Sequence, residues 1–181
     1  MGDLKDYWLW RGEKYCHEPH LRHPRYRDQE RFIVDTVKAF EPKKILEIGC
    51  GFGRVTRCLA EAMPECRILG VDISPAQINN AHVHCCLHAN AEFTEDATFR
   101  PRVDMVCAFE VLLHVPPDEL QDMIAGIFKA APVFIHDFDR DPSGDPGRHV
   151  FNHDYPAVYA AMGLKFETRE SGPHSLMVVR K

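Results

Sequence analysis

Ile45-Leu46-Glu47-Ile48-Gly49-Cys50-Gly51-Phe52-Gly53 is the stretch whose reading decides the fold. A short apolar run with an acid near its end breaks into glycines at alternate positions. Val55, Cys58, Leu59, Ala62 and Met63 then recur at i, i+3, i+4, i+7 and i+8. That spacing lays one apolar stripe along a helix, so the stretch reads as strand, tight turn, helix. Glycines let such a turn adopt dihedrals that other residues avoid, and let a ligand approach without meeting a Cβ. The helix N-terminus beyond them offers unpaired N–H groups and a partial positive charge.

Two details narrow the ligand. The spacing is G-x-G-x-G, and Arg54 stands where a dinucleotide-binding G-x-G-x-x-G would place its third glycine. Glu47 precedes the first glycine, where a pyrophosphate gains nothing from negative charge and a cationic ligand does. In these residues the chain resembles the class I S-adenosylmethionine-dependent methyltransferases, whose first motif reads E/D-x-G-x-G-x-G. Further matches carry the resemblance across residues 40–140. It implies S-adenosylmethionine as cofactor, with Glu47, Gly49, Cys50, Gly51 and Gly53 around it.

The rest of the chain supplies the strands and helices of such a fold. Ile33, Val37 and Phe40 share a face, which predicts a helix over 28–40. Arg67 to Asp72 reads as the second strand, and Ser74-Pro75-Ala76-Gln77 as a capping box opening the next helix. Short strands are expected near 91–93, over 103–108 and over 132–135. Leu120, Met123, Ile124, Ile127 and Phe128 predict an amphipathic helix. A helix over 156–162 ends at Gly163, and alternation from Leu164 to Arg169 followed by the Gly172-Pro173 turn predicts a closing hairpin with 175–179. The expected class is α/β: a Rossmann-like, seven-stranded, mostly parallel sheet with an antiparallel C-terminal edge and helices on both faces. No internal repeat is present. Residues 139–148 read as a turn-rich loop.

In open α/β sheets ligands lie outside the carboxyl ends of the strands. Asp72 ends the second strand, where a carboxylate can accept two hydrogen bonds from a ribose diol; capping of the next helix is the alternative. The resemblance implies the ribose role for Asp72 and an adenine-packing role for Ile73. It also implies that Asp96-Ala97 meets the adenine amino group, against the alternative of a plain surface loop. Phe109 and Glu110, ahead of Val111-Leu112-Leu113-His114-Val115, fall where the family lines the sulfonium side of the cofactor. His114 either shapes that loop or acts in catalysis, and Asp104, early in its strand, reads as structural. His136 and Asp137 end the fifth strand, and with His114 they are the candidate catalytic residues. His149 and His153 flank the loop and helix beyond, and Asp154 reads as the cap of that helix. A divalent ion at His136, Asp137 and Asp139, completed by Asn152 or Asp154, is the metal alternative; no metal is expected.

His82, His84, Cys85, Cys86 and His88 invite a second metal reading, but no further ligand pair follows at a zinc-like spacing. A packing or solvated role is expected. Residues 1–27 form an arm rich in aromatic, histidine and arginine residues, among them Tyr7, Trp8, Trp10, Tyr15, His17, His20, His23 and Tyr26. It reads either as edge packing or as a lid over the active site, ahead of a single domain at 28–181.

The bulk numbers exclude several classes. A chain of 181 residues with 45% hydrophobic and 27% charged residues fits one globular domain. It has no apolar run long enough to span a bilayer and no signal pattern at its N-terminus, so a cytoplasmic protein is expected. Seven cysteines without a C-x-x-C pair read as free thiols. A net charge of −5 disfavours a nucleic-acid partner, and no N-P-P-Y or D-P-P-Y motif follows the fourth strand. The expected function is methyl transfer from S-adenosylmethionine to a small-molecule acceptor. A non-catalytic cofactor-binding module or activating subunit is the second class. A nicotinamide oxidoreductase is a third, which Arg54 and Glu47 oppose. Oligomeric state is not readable from the chain.

Overall fold

The computed structural model describes residues 4–15, 24–96, 98, 101–138 and 150–181. Seven strands form a sheet of order β3-β2-β1-β4-β5-β7-β6. They are β1 (Lys44–Ile48), β2 (Arg67–Val71), β3 (Ala91–Thr94), β4 (Met105–Ala108), β5 (Val133–Asp137), β6 (Lys165–Ser171) and β7 (His174–Arg180). The helices are α1 (Leu4–Tyr15), α2 (Pro24–Lys38), α3 (Arg54–Ala62), α4 (Pro75–His84), α5 (Leu120–Ala130) and α6 (Tyr155–Ala161). The chain divides into two compact units, Met1–Phe99 and Arg100–Lys181.

In the first unit β1, β2 and β3 run parallel, with Ile45 opposite Ile68 and Gly70 opposite Phe93. Ile45, Leu46, Ile68 and Val71 are buried, as a strand covered on both faces requires. Gly70 has a packing reason inside its strand: a Cβ there would lie 2.8 Å from Phe93 and 2.9 Å from Cys50 Sγ. Val55 and Leu59 bury the stripe of α3 read from the sequence. α2 begins at Pro24 rather than Asp28, because proline suits the first turn of a helix and carries it upstream of the apolar stripe. α1 is a helix where no clean period announced one.

In the second unit β4 and β5 run parallel, while β7 pairs antiparallel with both β5 and β6. β7 is buried from Ser175 to Val179, and β6 is exposed along most of its length. Lys165, Glu167 and Arg169 on that edge hinder further strand pairing. The antiparallel C-terminal edge is as expected. No helix of the described residues is long and apolar enough to cross a membrane.

Candidate functional site: a glycine turn tied to Asp72

The turn after β1 is folded around positive backbone angles. Gly49, Gly51 and Gly53 have φ of 67°, 54° and 81°, a region that penalises any residue with a Cβ. Gly49 and Cys50 N–H groups both donate to Val71 O, at 2.8 and 3.0 Å, tying the turn to the end of β2. Gly53 caps α3, and a Cβ there would stand 2.9 Å from Cys85 Sγ. Gly51 differs. Among the described residues only Gln77 Oε1, at 3.9 Å, comes within reach of a Cβ built on it. Two of the three glycines thus hold the turn, and Gly51 leaves room above it.

Asp72 fastens the second loop to the first. Its Oδ2 accepts from Gly51 N–H and its Oδ1 from Ser74 N–H, each at 2.9 Å. Burial raises its carboxyl, and the two N–H bonds oppose the rise. Each oxygen keeps a lone pair for a ligand hydroxyl. Ser74 caps α4 by accepting from Gln77 N–H at 3.4 Å. The capping box is half formed: Asp72 takes the Ser74 N–H, so the Gln77 side chain turns to α1 and donates to Gly12 O at 2.9 Å. Ile73 is half-buried beside Asp72.

Glu47 lies under the turn, 3% exposed, and accepts from Thr56 Oγ1 on α3. Burial pushes its carboxyl up to about 7, against the opposing pull of the Thr56 bond and the Arg54 charge. Nearby Asp72 adds to the rise. Arg54 is pinned from α2, donating to Glu30 at 3.1 Å and Gln29 at 3.0 Å with its guanidinium over the Tyr26 ring. Sequence reading used Arg54 only to reject a dinucleotide motif. The structure makes it the clamp between α2 and α3. Cys50 is buried, its Sγ packed on Gly70. Asp96 is exposed and accepts from Thr98 N–H at 3.0 Å and from the Thr98 hydroxyl. Ala97 lies outside the described residues, as do His17, His20, His23, Asp139 and His149.

The second unit carries the remaining candidates. Phe109 is buried at the end of β4, and Glu110 follows with φ of 57°, an uncommon value for a residue with a side chain. Asp137 Oδ1 accepts from Glu110 N–H at 2.7 Å and holds that conformation. His114 ends a 3-10 turn at Leu112–His114 and is half-buried. That turn is stitched to residues 151–153: Phe151 N–H donates to Leu113 O at 2.7 Å, and His153 Nε2 bonds Leu112 O at 3.1 Å. Asp154 caps α6 through Ala157 N–H, as read from the sequence.

His136, a candidate catalytic residue from the sequence, is enclosed. It is 0% exposed, its Nδ1 bonds Asp137 O at 2.7 Å, and Tyr159 OH donates to its Nε2. Its ring stacks on Phe134 at 5.1 Å and lies 4.8 Å from Tyr155. Burial pushes it down to about 4. Strand alternation puts Phe134 and His136 on one face of β5, and that face is covered by α6. Both nitrogens of a neutral ring are engaged. Of the pair read from the sequence, Asp137 faces the β4 loop and His136 faces the aromatic cluster.

His84 Nε2 accepts from Arg57 Nε–H at 3.1 Å and meets the Phe52 ring edge-on, while His82 packs on Phe93. Among the described residues no group of three His, Cys, Asp or Glu is placed to hold a metal ion. Thr56, Gln77 and Tyr159 were not found by sequence reading. Gln77 carried a signal, its place in the capping box, but the signal pointed to the wrong partner.

Residues 45–131 match the family model described as a methyltransferase domain. A tRNA N(3)-methylcytidine methyltransferase of Schizosaccharomyces pombe is 27% identical over 179 residues, covering 86% of this chain and 66% of its own length. A trans-aconitate 2-methyltransferase of Rhodococcus jostii is 29% identical over 109 residues, covering 60% of this chain and 41% of its own length. The chain spans less than two thirds of the length of either relative. Magnesium protoporphyrin IX methyltransferase from Synechocystis, solved with S-adenosylmethionine bound, superposes with a TM-score of 0.75 at 18% identity. The match covers 100% of this chain and 99% of that one, and at this identity it is a likeness of fold.

Proposed function

We propose that this protein, whose residues 45–131 match a methyltransferase-domain family model, transfers a methyl group from S-adenosylmethionine to a small-molecule acceptor. The observation that carries the proposal is the open space at Gly51, flanked by the Asp72 carboxylate and underlain by Glu47. A cation suits a site with a buried acid pushed up to about 7, since a nearby positive charge favours its ionised form. A diphosphate does not suit it.

When bound, S-adenosylmethionine supplies a methyl already activated on a sulfonium. The chain's own residues bind and position. Gly49, Gly51 and Gly53 give backbone access, Asp72 offers its remaining lone pairs to the ribose hydroxyls, and Ile73 offers an apolar face to the adenine. Asp96 and Ala97 are assigned to the adenine amino group, and Phe109 and Glu110 to the sulfonium side. Positioning of this kind is worth an effective molarity of roughly 10⁵ to 10⁸ M. A base adds about 10² to 10⁴-fold where the acceptor must lose a proton. We assign that role to His114 in preference to His136, whose nitrogens are both engaged. Asp137 acts by holding Glu110.

We assign residues 1–27 to a lid, supported by the bond between Gln77 and Gly12 that seats α1 on the start of α4. The net charge of −5 supports a small acceptor over a nucleic acid, although one relative is a tRNA methyltransferase. Incubation with radiolabelled S-adenosylmethionine and a fractionated metabolite extract is expected to label a small molecule. Cofactor binding without labelling of any fraction supports the non-catalytic reading instead, and labelling of RNA alone contradicts the small-molecule assignment.

A further inference from the structure

We propose that Gln77 is a ligand-contacting residue that couples the methyl-donor site to α1; this rests on the donor reading above. Its amide is used at one end only. Nε2 donates to Gly12 O, whereas among the described residues Oε1 has no hydrogen-bond partner although the residue is 4% exposed. A buried acceptor left unmade is costly, and native chains rarely keep one without a use. Oε1 lies 3.9 Å from the position of a Cβ on Gly51, on the same residue whose N–H binds Asp72. An acceptor aimed there takes an N–H or O–H of the bound donor.

The other end of the amide fixes α1 at close range. A Cβ on Gly12 would lie 2.2 Å from Ser74 Oγ, 2.9 Å from Ser74 Cβ and 3.2 Å from Gln77 Cγ. Glycine at this position in α1 is therefore a requirement of docking, not of helix formation, where it is unfavourable. One side chain thus joins the backbone of α1 to the space above Gly51. Ligand binding at Oε1 orients the amide so that Nε2 faces Gly12, and a docked α1 keeps Oε1 aimed at the ligand.

The test uses S-adenosylhomocysteine as probe, read by titration calorimetry and by amide hydrogen exchange over residues 4–15. In the wild type the probe slows exchange in α1. Gln77→Leu is expected to bind it roughly tenfold more weakly, the scale of one hydrogen bond, and to lose the protection of α1. Gln77→Glu keeps an acceptor and loses the Nε2 donor, so affinity recovers while α1 stays unprotected. Gly12→Ala undocks α1 without altering Gln77, and gives the same loss of protection should Gln77→Leu not fold. Wild-type affinity and wild-type protection in Gln77→Leu would overturn the inference alone. Absence of any binding to the wild type would overturn the donor reading and this inference with it.

Discussion

The glycine turn after β1 and the end of β5 each bury an ionisable side chain, and the two are used in opposite ways. Burial pushes Glu47 up to about 7 and His136 down to about 4, each toward its neutral form. Glu47 has one neutral hydroxyl as partner, with Arg54 and Asp72 nearby and open space over the adjacent Gly51. His136 has a partner on each nitrogen and aromatic rings around it. The first is a group that a cationic ligand can still ionise; the second is closed. Burial marks both residues as unusual, and only the surroundings tell them apart.

The largest expected effect is at the open glycine. Gly51→Val places a β-branched residue at φ of 54° and fills the space a ligand needs. Binding of S-adenosylmethionine is expected to vanish in calorimetry while the thermal transition persists. Loss of the fold without a separable loss of binding would show that Gly51 is closed like Gly53.

The next effect breaks the comparison between the two buried groups. Glu47 titrates near 4.5 unfolded and about 7 folded, so the folded state binds the extra proton and stability falls as pH rises through that window. His136 titrates near 6.5 unfolded and about 4 folded, so the unfolded state binds the extra proton and stability rises with pH between those values. Each contributes a slope of at most about 1.4 kcal/mol per pH unit, and the two oppose each other in the wild type between pH 4.5 and 6.5. Urea titrations across that range are expected to show a rising slope for Glu47→Gln and a falling one for His136→Phe. The same slope in both variants would contradict the assignment.

Asp72→Ala removes the acceptor for Gly51 and Ser74 N–H groups and weakens S-adenosylmethionine binding by about 1.5 to 3 kcal/mol, the scale of hydrogen bonds to a charged group. Tyr159→Phe is smallest. It leaves His136 Nε2 without a donor, at a cost of about 1 kcal/mol in stability, and leaves the pH profile of turnover between 6 and 8 unchanged. A shifted profile would return His136 to catalysis.

These contrasts also mark how far the sequence could be read. Strand, turn and helix at 45–63 were legible because glycine spacing and a 3.6-residue period are local signals, and the C-terminal hairpin because alternation is. The position of Asp72, just past a strand and ahead of a capped helix, was legible for the same reason. α1 was not, since its apolar residues follow no period and its docking depends on Gly12 meeting Ser74 and Gln77 far along the chain. The enclosure of His136 was not legible for a related reason. Its strand position was visible, but the Tyr155 and Tyr159 that enclose it come from α6, further along the chain. Residues held by local backbone geometry are read from sequence; residues whose role is set by a distant neighbour are not.

The turn from Gly49 to Gly53 is proposed to bind a cationic methyl donor above Gly51. Titration calorimetry of the wild-type protein with S-adenosylmethionine near pH 7, repeated in buffers of different ionisation enthalpy, tests it most directly. Saturable binding at one site per chain is expected, with release of a proton, as the bound cation lowers Glu47 from about 7. Absence of binding, with saturable binding of NAD under the same conditions, would contradict it.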